Sequence, residues 1–371
     1  MKGIVIWAYS ECRSTLATYR ELIKALNIPG VVAILHASRS GCGMGLRTKT
    51  GFRADEFAGM PIDVVDMNRE KGMSLIQRYR DWNHMFCDYQ GSSLVRELIT
   101  TAHNAGMRVC VATESPCNMA TGVMALLKAG YLKFFLNIRM RQVVRSADFF
   151  VNYSGDDQRA HTMAGWPMSK IVPFGYFPPP IEGSVCVRRI SNNPFMILST
   201  GILTRYRGAD ILVQALILLK RRGVKYRAII TQDGPLLPLL KKVAAENQLP
   251  IEFPGFVQLP DLIKLYEECS VYVGVGRSEP WGMRLNDALN CGAPLIVSDG
   301  MGGRKLVDDY GCGLVFKKGD PKDLCDKLER MATDIKGYKV CAAKAAKAQP
   351  FISPEYNAHR LVDVFRQKGW M

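Results

Sequence analysis

Two acids, Glu279 and Asp287, stand eight positions apart in the stretch Ser278–Pro294, SEPWGMRLNDALNCGAP. Each carboxylate offers several lone-pair sites, so a spaced pair suits the gripping of a polyol such as a sugar. Upstream, Arg205 and Arg207 lie in Ile-Leu-Thr-Arg-Tyr-Arg-Gly, after the apolar run PFMILSTG and ahead of a helical pattern. Cations beside the free N–H groups of a helix start can hold a diphosphate. A further acid, Asp233, follows the run YRAIIT in Gln-Asp-Gly-Pro. Each feature also has a plainer reading. The arginines could form a solvated basic turn and Asp233 a tight turn. Asp287 could decorate a helix face, with Glu279 paired to Arg277. The turn after PFMILSTG has no G-x-G-x-x-G, which argues against a nicotinamide enzyme.

The elements that must position these residues follow from periodicity. From Phe195 onward, PFMILSTG, YRAIIT, IEFPGFV, SVYVGVG and APLIVSD read as strands, with GLVF as a short last one. Between them, GADILVQALILLKRRG, LLPLLKKVAAENQ, LPDLIKLYEEC and MRLNDALN read as helices, and PKDLCDKLERMATDI follows the last strand. Gly282 breaks the chain before MRLNDALN, and Gly292 suits a left-handed helix cap. Glu279 then falls in a loop and Asp287 in a short helix, whose start near Met283 and Arg284 could receive an anion. The first part of the chain alternates more loosely, with strands at KGIVIWAY, VVAILHA, IDVVD, MRVCVAT and DFFVNYS and helices around LATYRELIKAL and SLVRELITTAHNAG.

Apolar strands alternating with helices imply an α/β protein with parallel sheets covered on both faces. Length points to two doubly wound domains. The expected boundaries are 1–175, a proline-stiffened linker 176–185, a second domain 186–350 and a terminal helix 351–371. That helix opens on Ser353 and Pro354 and could pack on either domain, including back on the first. Ligands of such sheets sit beyond the carboxyl ends of the strands, here in a cleft between two facing domains.

Composition narrows the partners. Formal net charge is +15, which favours anionic ligands or surfaces. The 11 cysteines include no C-x-x-C pair, so a disulfide framework or zinc site is not expected and a reducing cytosol is. MKGIVIWAYSE reads as a buried first strand and not as a signal peptide. Nucleic acid is not an expected partner, because no helix-turn-helix, zinc or RNA-platform signal accompanies the charge.

From Gly201 to Asp320 the chain resembles the donor-binding domain of retaining GT-B glycosyltransferases of the family-four type, glycosyl transferases group 1. It carries in order GILTRYRGAD, QDGP, FPGFV, RSEPWGMRLNDALNCGAPLIVSD, a glycine pair and GLVFKKGD, at spacings close to the family's. The resemblance implies a GT-B fold of two Rossmann-like domains and transfer of a hexosyl group from a nucleoside diphosphate sugar, UDP favoured. The acceptor would be a hydroxyl of a glycan or lipid-linked glycan in surface polysaccharide synthesis, with no cofactor and no metal. A non-catalytic relative that binds a sugar nucleotide or a partner protein is the alternative. By position, Glu279 would approach the donor sugar, Asp287 the ribose and Arg207 the diphosphate. Gly201, Asp233, Trp281, Gly282, Met283 and Arg284 would complete the donor site, with Phe256 and Val257 near the base.

The chain also departs from the pattern. Ile202 replaces an arginine, for which Arg205 could substitute. Asp287 replaces a glutamate, and Lys305 stands where a glutamate is usual. In the first domain Ala8-Tyr9-Ser10-Glu11 replaces a glycine pair. Thr113-Glu114-Ser115 replaces a histidine, which makes Glu114 a candidate catalytic residue or a structural cap. On the acceptor side, Leu126–Arg145 interleaves basic and aromatic residues. It reads either as a peripheral contact with the inner face of the cytoplasmic membrane or as a partly buried helix with a solvated face. The glycine-bearing stretch Ser38–Phe52 is expected near the acceptor.

Overall fold

Strands and helices alternate through the protein in a computed structural model that describes residues 1–10, 13–36, 60–87, 92–114, 134, 137–155, 161–162, 165–187 and 195–371. The chain divides into two compact units, Met1–Pro179 with Ser353–Met371, and Pro180–Ile352.

The first unit is built on a seven-stranded sheet of order β3-β2-β1-β4-β5-β6-β7, every pair parallel. Its strands are β1 Ile4–Ser10, β2 Gly30–His36, β3 Ile62–Val64, β4 Asn83–Cys87, β5 Val109–Thr113, β6 Phe149–Asn152 and β7 Ile171–Pro173. The order reverses between β1 and β4. β4 is one of the elements that apolar patterning misses, because it opens on Asn83 and His84. Both are buried, and both have partners from afar. The Trp7 indole N–H donates to His84 Nδ1 (3.0 Å), which leaves the proton on Nε2, 3.2 Å from the Tyr79 carbonyl. Asn83 Nδ2 donates to the Trp370 carbonyl (2.7 Å). Burial holds the His84 pKa down at about 4, so the ring is a neutral part of the core.

Residues Ser353–Met371 complete this unit. Ser353 caps the helix Pro354–Gln367 by accepting from the Tyr356 N–H (3.2 Å), and the helix packs on the helix Arg13–Leu26. Trp370 follows, 2% exposed, edge-on to Phe149, with its indole N–H on the Asp148 carboxylate (3.0 Å).

The second unit has a six-stranded parallel sheet of order β10-β9-β8-β11-β12-β13. These strands are β8 Met196–Thr200, β9 Arg227–Thr231, β10 Ile251–Gly255, β11 Val271–Gly274, β12 Leu295–Ser298 and β13 Gly313–Phe316. β8, β11 and β12 are short runs of Val, Ile, Leu and Met whose burial on both faces demands covering helices. The helix Ala209–Arg221 supplies one cover, burying Leu212, Leu216 and Leu219 against Ile197, Val273 and Ile296. The order reverses between β8 and β11. In doubly wound sheets ligands bind beyond the carboxyl ends of the strands at such a reversal.

Candidate functional site

The loops that leave β8 and β11 meet at that reversal, and glycine is what lets them meet. Gly208 has φ 76°, and a Cβ there would run into the Val275 carbonyl. The Arg277 N–H donates to the Tyr206 carbonyl (3.1 Å), joining the two loops by backbone. The side chains join as well, because Arg207 Nη1 pairs with Glu279 Oε1. Burial works against the Arg207 charge, yet the Glu279 carboxylate outweighs it and raises the guanidinium pKa. Glu279 is also fixed by its own backbone, whose N–H donates to the Gly300 carbonyl (3.0 Å) and whose carbonyl accepts from Gly302 (3.0 Å).

Neither the solvated turn nor the Glu279–Arg277 pair describes this arrangement. Arg277 instead makes a two-pronged pair with Asp210, at 2.8 and 2.7 Å. Arg205 is exposed, and its carbonyl accepts from Arg277. Gly201 begins the loop at φ 151°, and Ile202 after it is 50% exposed. Lys305 pairs with Asp309 on its own helix (2.9 Å).

Asp287 sits on the seven-residue helix Arg284–Asn290, between Gly282 (φ 95°) and Gly292 (φ 73°). It is 0% exposed, so it does not decorate a solvated face. Arg284 Nη1 lies 3.7 Å from its Oδ2. Trp281 is buried, and its indole N–H donates to Asn286 Oδ1 (2.8 Å), which ties the loop to the helix. Met283 and Arg284 are half-buried at the helix start. One site residue has no signal in the sequence: Tyr272, on β11. Its hydroxyl is 3.0 Å from Thr200 Oγ1, burial pushes its pKa well up, and it feels the charges of both Arg284 and Glu279.

The remaining residues of this unit follow its other strands. Asp233 is exposed after β9, and its carbonyl accepts from the Leu203 N–H (3.0 Å), tying that turn to the β8 loop. Phe256 is exposed and Val257 half-buried after β10. Every candidate from Gly201 to Asp287 therefore lies beyond a strand's carboxyl end.

Glu114 belongs to the first unit, half-buried after β5, and hydrogen-bonds the Tyr176 phenol. Burial, then the Glu114 charge, raise the Tyr176 pKa, so the phenol stays protonated and donates. Tyr153 stacks 4.8 Å from Tyr176 and contacts Tyr19 and Cys87, which makes a buried hydroxyl and thiol cluster behind the acid. Of the stretch 126–145, residues 126–133 and 135–136 lie outside the described residues, as does the stretch 38–52. Helix residues 137–146 bury Met140 and Val143 and expose Ile138, Arg139, Arg141 and Arg145; Phe134 ahead of them is 72% exposed. Among the described residues no helix is long and apolar enough to cross a membrane. No group of three or more His, Cys, Asp or Glu there could hold a metal.

Solved structures share this architecture. Anabaena HepE in complex with UDP superposes with a TM-score of 0.71 at 15% identity, covering 99% of this chain and 100% of that one. The lipopolysaccharide outer core galactosyltransferase WaaB, apo form, gives 0.66 at 12% identity, covering 99% of each. The fold is GT-B, with two Rossmann-like units. Residues 187–348 match the family described as glycosyl transferases group 1. Among curated relatives, the alpha-D-kanosaminyltransferase of Streptomyces kanamyceticus is 26% identical over 47% of this chain and 46% of its own. The amylovoran biosynthesis glycosyltransferase AmsK of Erwinia amylovora is 24% identical over 48% and 46%. A GDP-mannose-dependent alpha-(1-6)-phosphatidylinositol dimannoside mannosyltransferase of Mycobacterium tuberculosis is 32% identical over 28% and 27%. The chain thus spans less than half the length of these curated relatives.

Proposed function

We propose that the protein is a glycosyltransferase that moves a hexosyl group from a nucleoside diphosphate sugar, UDP-linked, to a hydroxyl of a glycan or lipid-linked glycan. Transfer retains the anomeric configuration and serves surface polysaccharide synthesis. The observation that carries this reading is the meeting of Arg207 and Glu279 at the sheet reversal of the second unit. One cation for a diphosphate and one carboxylate for a sugar hydroxyl stand side by side where such folds take ligands. The matched family and the relatives named above support the same class.

In this reading Arg205 and Arg207 hold the diphosphate and stabilise the charge that develops on it as the leaving group, without a metal. Glu279 accepts hydroxyls of the donor sugar and Asp287 those of the ribose. The Gly282–Arg284 segment faces the sugar and phosphate, and Phe256-Val257 flanks the base. Glu114, hydrogen-bonded to Tyr176, is the candidate catalytic residue of the first unit. The protein works in the cytoplasm at the inner membrane face, where Phe134, Ile138 and the exposed arginines 139, 141 and 145 suit an anionic lipid surface.

Incubation with UDP- and GDP-sugars and candidate acceptors, followed by nucleotide release, tests the reading. Release that depends on donor and acceptor is the expected result. The exposed Ile202 in place of an arginine and the engaged Lys305 favour a second reading, a non-catalytic binder. Tight nucleotide binding with no turnover on any acceptor would establish that one instead.

A further inference from the structure

We propose that Arg277 and Asp210 are a positioning pair that sets the conformation of the Arg205–Arg207 loop for a diphosphate, an inference that rests on the donor-site reading above. Arg277 grips the loop at successive points. Its backbone N–H takes the Tyr206 carbonyl (3.1 Å), and its Nη1 takes the carbonyl of Arg205. The same guanidinium then spans both oxygens of Asp210, at 2.8 and 2.7 Å, in the first turn of the helix that follows the loop. Loop and helix start are therefore fastened to one rigid fork.

The loop's own bonds fit that role. The Arg205 carbonyl, held by Arg277, also accepts from the Gly208 N–H (3.1 Å), and the Arg207 N–H donates to the Thr204 carbonyl (3.1 Å). A turn closed this way fixes the backbone from which both candidate cations project. Arg277 does not itself serve as a ligand cation, because Asp210 occupies and neutralises its fork. The pair contributes geometry and no net charge, and Arg205 and Arg207 remain to meet the anion. A planar fork is needed, since lysine cannot span both carboxylate oxygens and a carbonyl in one fixed plane.

The test separates positioning from mere stability. Asp210→Asn keeps shape and removes the charge; Arg277→Lys keeps charge and removes the fork. Calorimetry is run on wild type and both variants with uridine, UMP and UDP, and with the guanosine series in parallel, beside thermal unfolding. The expected result is a loss of about tenfold or more for the diphosphate, with nucleoside affinity held within about twofold. In an Arg207→Ala background the further loss on adding Arg277→Lys should shrink, because the brace acts through that cation. An equal loss for nucleoside and diphosphate, or no loss for either, overturns the proposal. Wild type that binds neither UDP nor GDP removes the donor-site reading and this inference with it. Wild type that binds, with variants that bind equally well, removes only the inference.

Discussion

Asp287→Ala separates an acid that holds a ligand from one that only holds the fold. The side chain is fully buried, and Arg284 stands 3.7 Å away as its counter-charge. Truncation strands a guanidinium whose Nη1 is itself buried, a cost in stability of about 1–3 kcal/mol. If the carboxylate also accepts ribose hydroxyls, nucleotide binding weakens by about 1.5–3 kcal/mol, the worth of a hydrogen bond to a charged group. That corresponds to about 10- to 150-fold in Kd. Both effects appear in the one variant, so the ligand must be varied too. Calorimetry with UDP and with its 2′,3′-dideoxy analogue, on wild type and variant, closes a double cycle. Wild type should lose affinity when the hydroxyls go, and Asp287→Ala should not distinguish the two ligands. Equal discrimination by both proteins refutes the ribose role and leaves Asp287 as the partner of Arg284. Asp287→Glu adds a methylene to a site that is closed to solvent, at about 1–3 kcal/mol of overpacking. It should melt lower than wild type yet keep the preference for the ribose hydroxyls.

Glu279→Gln should cut turnover while leaving UDP affinity equal or up to about fivefold tighter. The half-exposed pair with Arg207 is worth about 0–1 kcal/mol, and the phosphate no longer competes for it; weaker UDP binding in parallel with turnover would contradict this. Trp370→Ala should destabilise the protein by about 3–5 kcal/mol, since it empties a packed aromatic site and removes the indole bond to Asp148. Urea unfolding that shows less than about 1 kcal/mol would sink that account. Burial lowers the His84 and His161 pKa values from 6.5 to about 4 and about 3. The unfolded chain binds the extra protons below pH 6.5, so stability is complete above that pH and falls by a few kcal/mol as pH drops toward 3. Denaturation midpoints across the window, in wild type and His84→Gln, should show a shallower slope in the variant; identical slopes would refute the assignment.

The second unit was legible where local pattern suffices. β8, β9, β11 and β12 are apolar runs bounded by turn residues, and their order along the chain placed Arg207, Glu279 and Asp287 beyond strand ends. β4 was not legible, because Asn83 and His84 belong in a core only once Trp370, Tyr79 and Trp7 supply their partners. The helix Arg69–Arg78 was missed for a similar reason. It carries Gly72, a poor helix former, with Leu98 of a neighbouring helix packed close over it. Within the site, the plainer alternative reading pairs Glu279 with Arg277, two residues away. The fold instead pairs each with a residue some seventy positions upstream, Arg207 and Asp210. Tyr272 shows the same limit, since only the sheet brings its hydroxyl to Thr200.

That exchange of partners bears on how the site works. Of the charged groups around the reversal, Arg277 is matched by Asp210 and Asp287 by Arg284, and each match involves a helix residue. Arg207 and Glu279 are matched to each other across two loops, with the arginine side chain 40% exposed. Of the three pairs, this one has the arginine most open to solvent. A nucleoside diphosphate sugar brings an anion and a set of hydroxyls, one for each half. In the proposed function the Arg277–Asp210 and Asp287–Arg284 pairs fix geometry, and the Arg207–Glu279 pair keeps both charges in place until a ligand offers each a better partner.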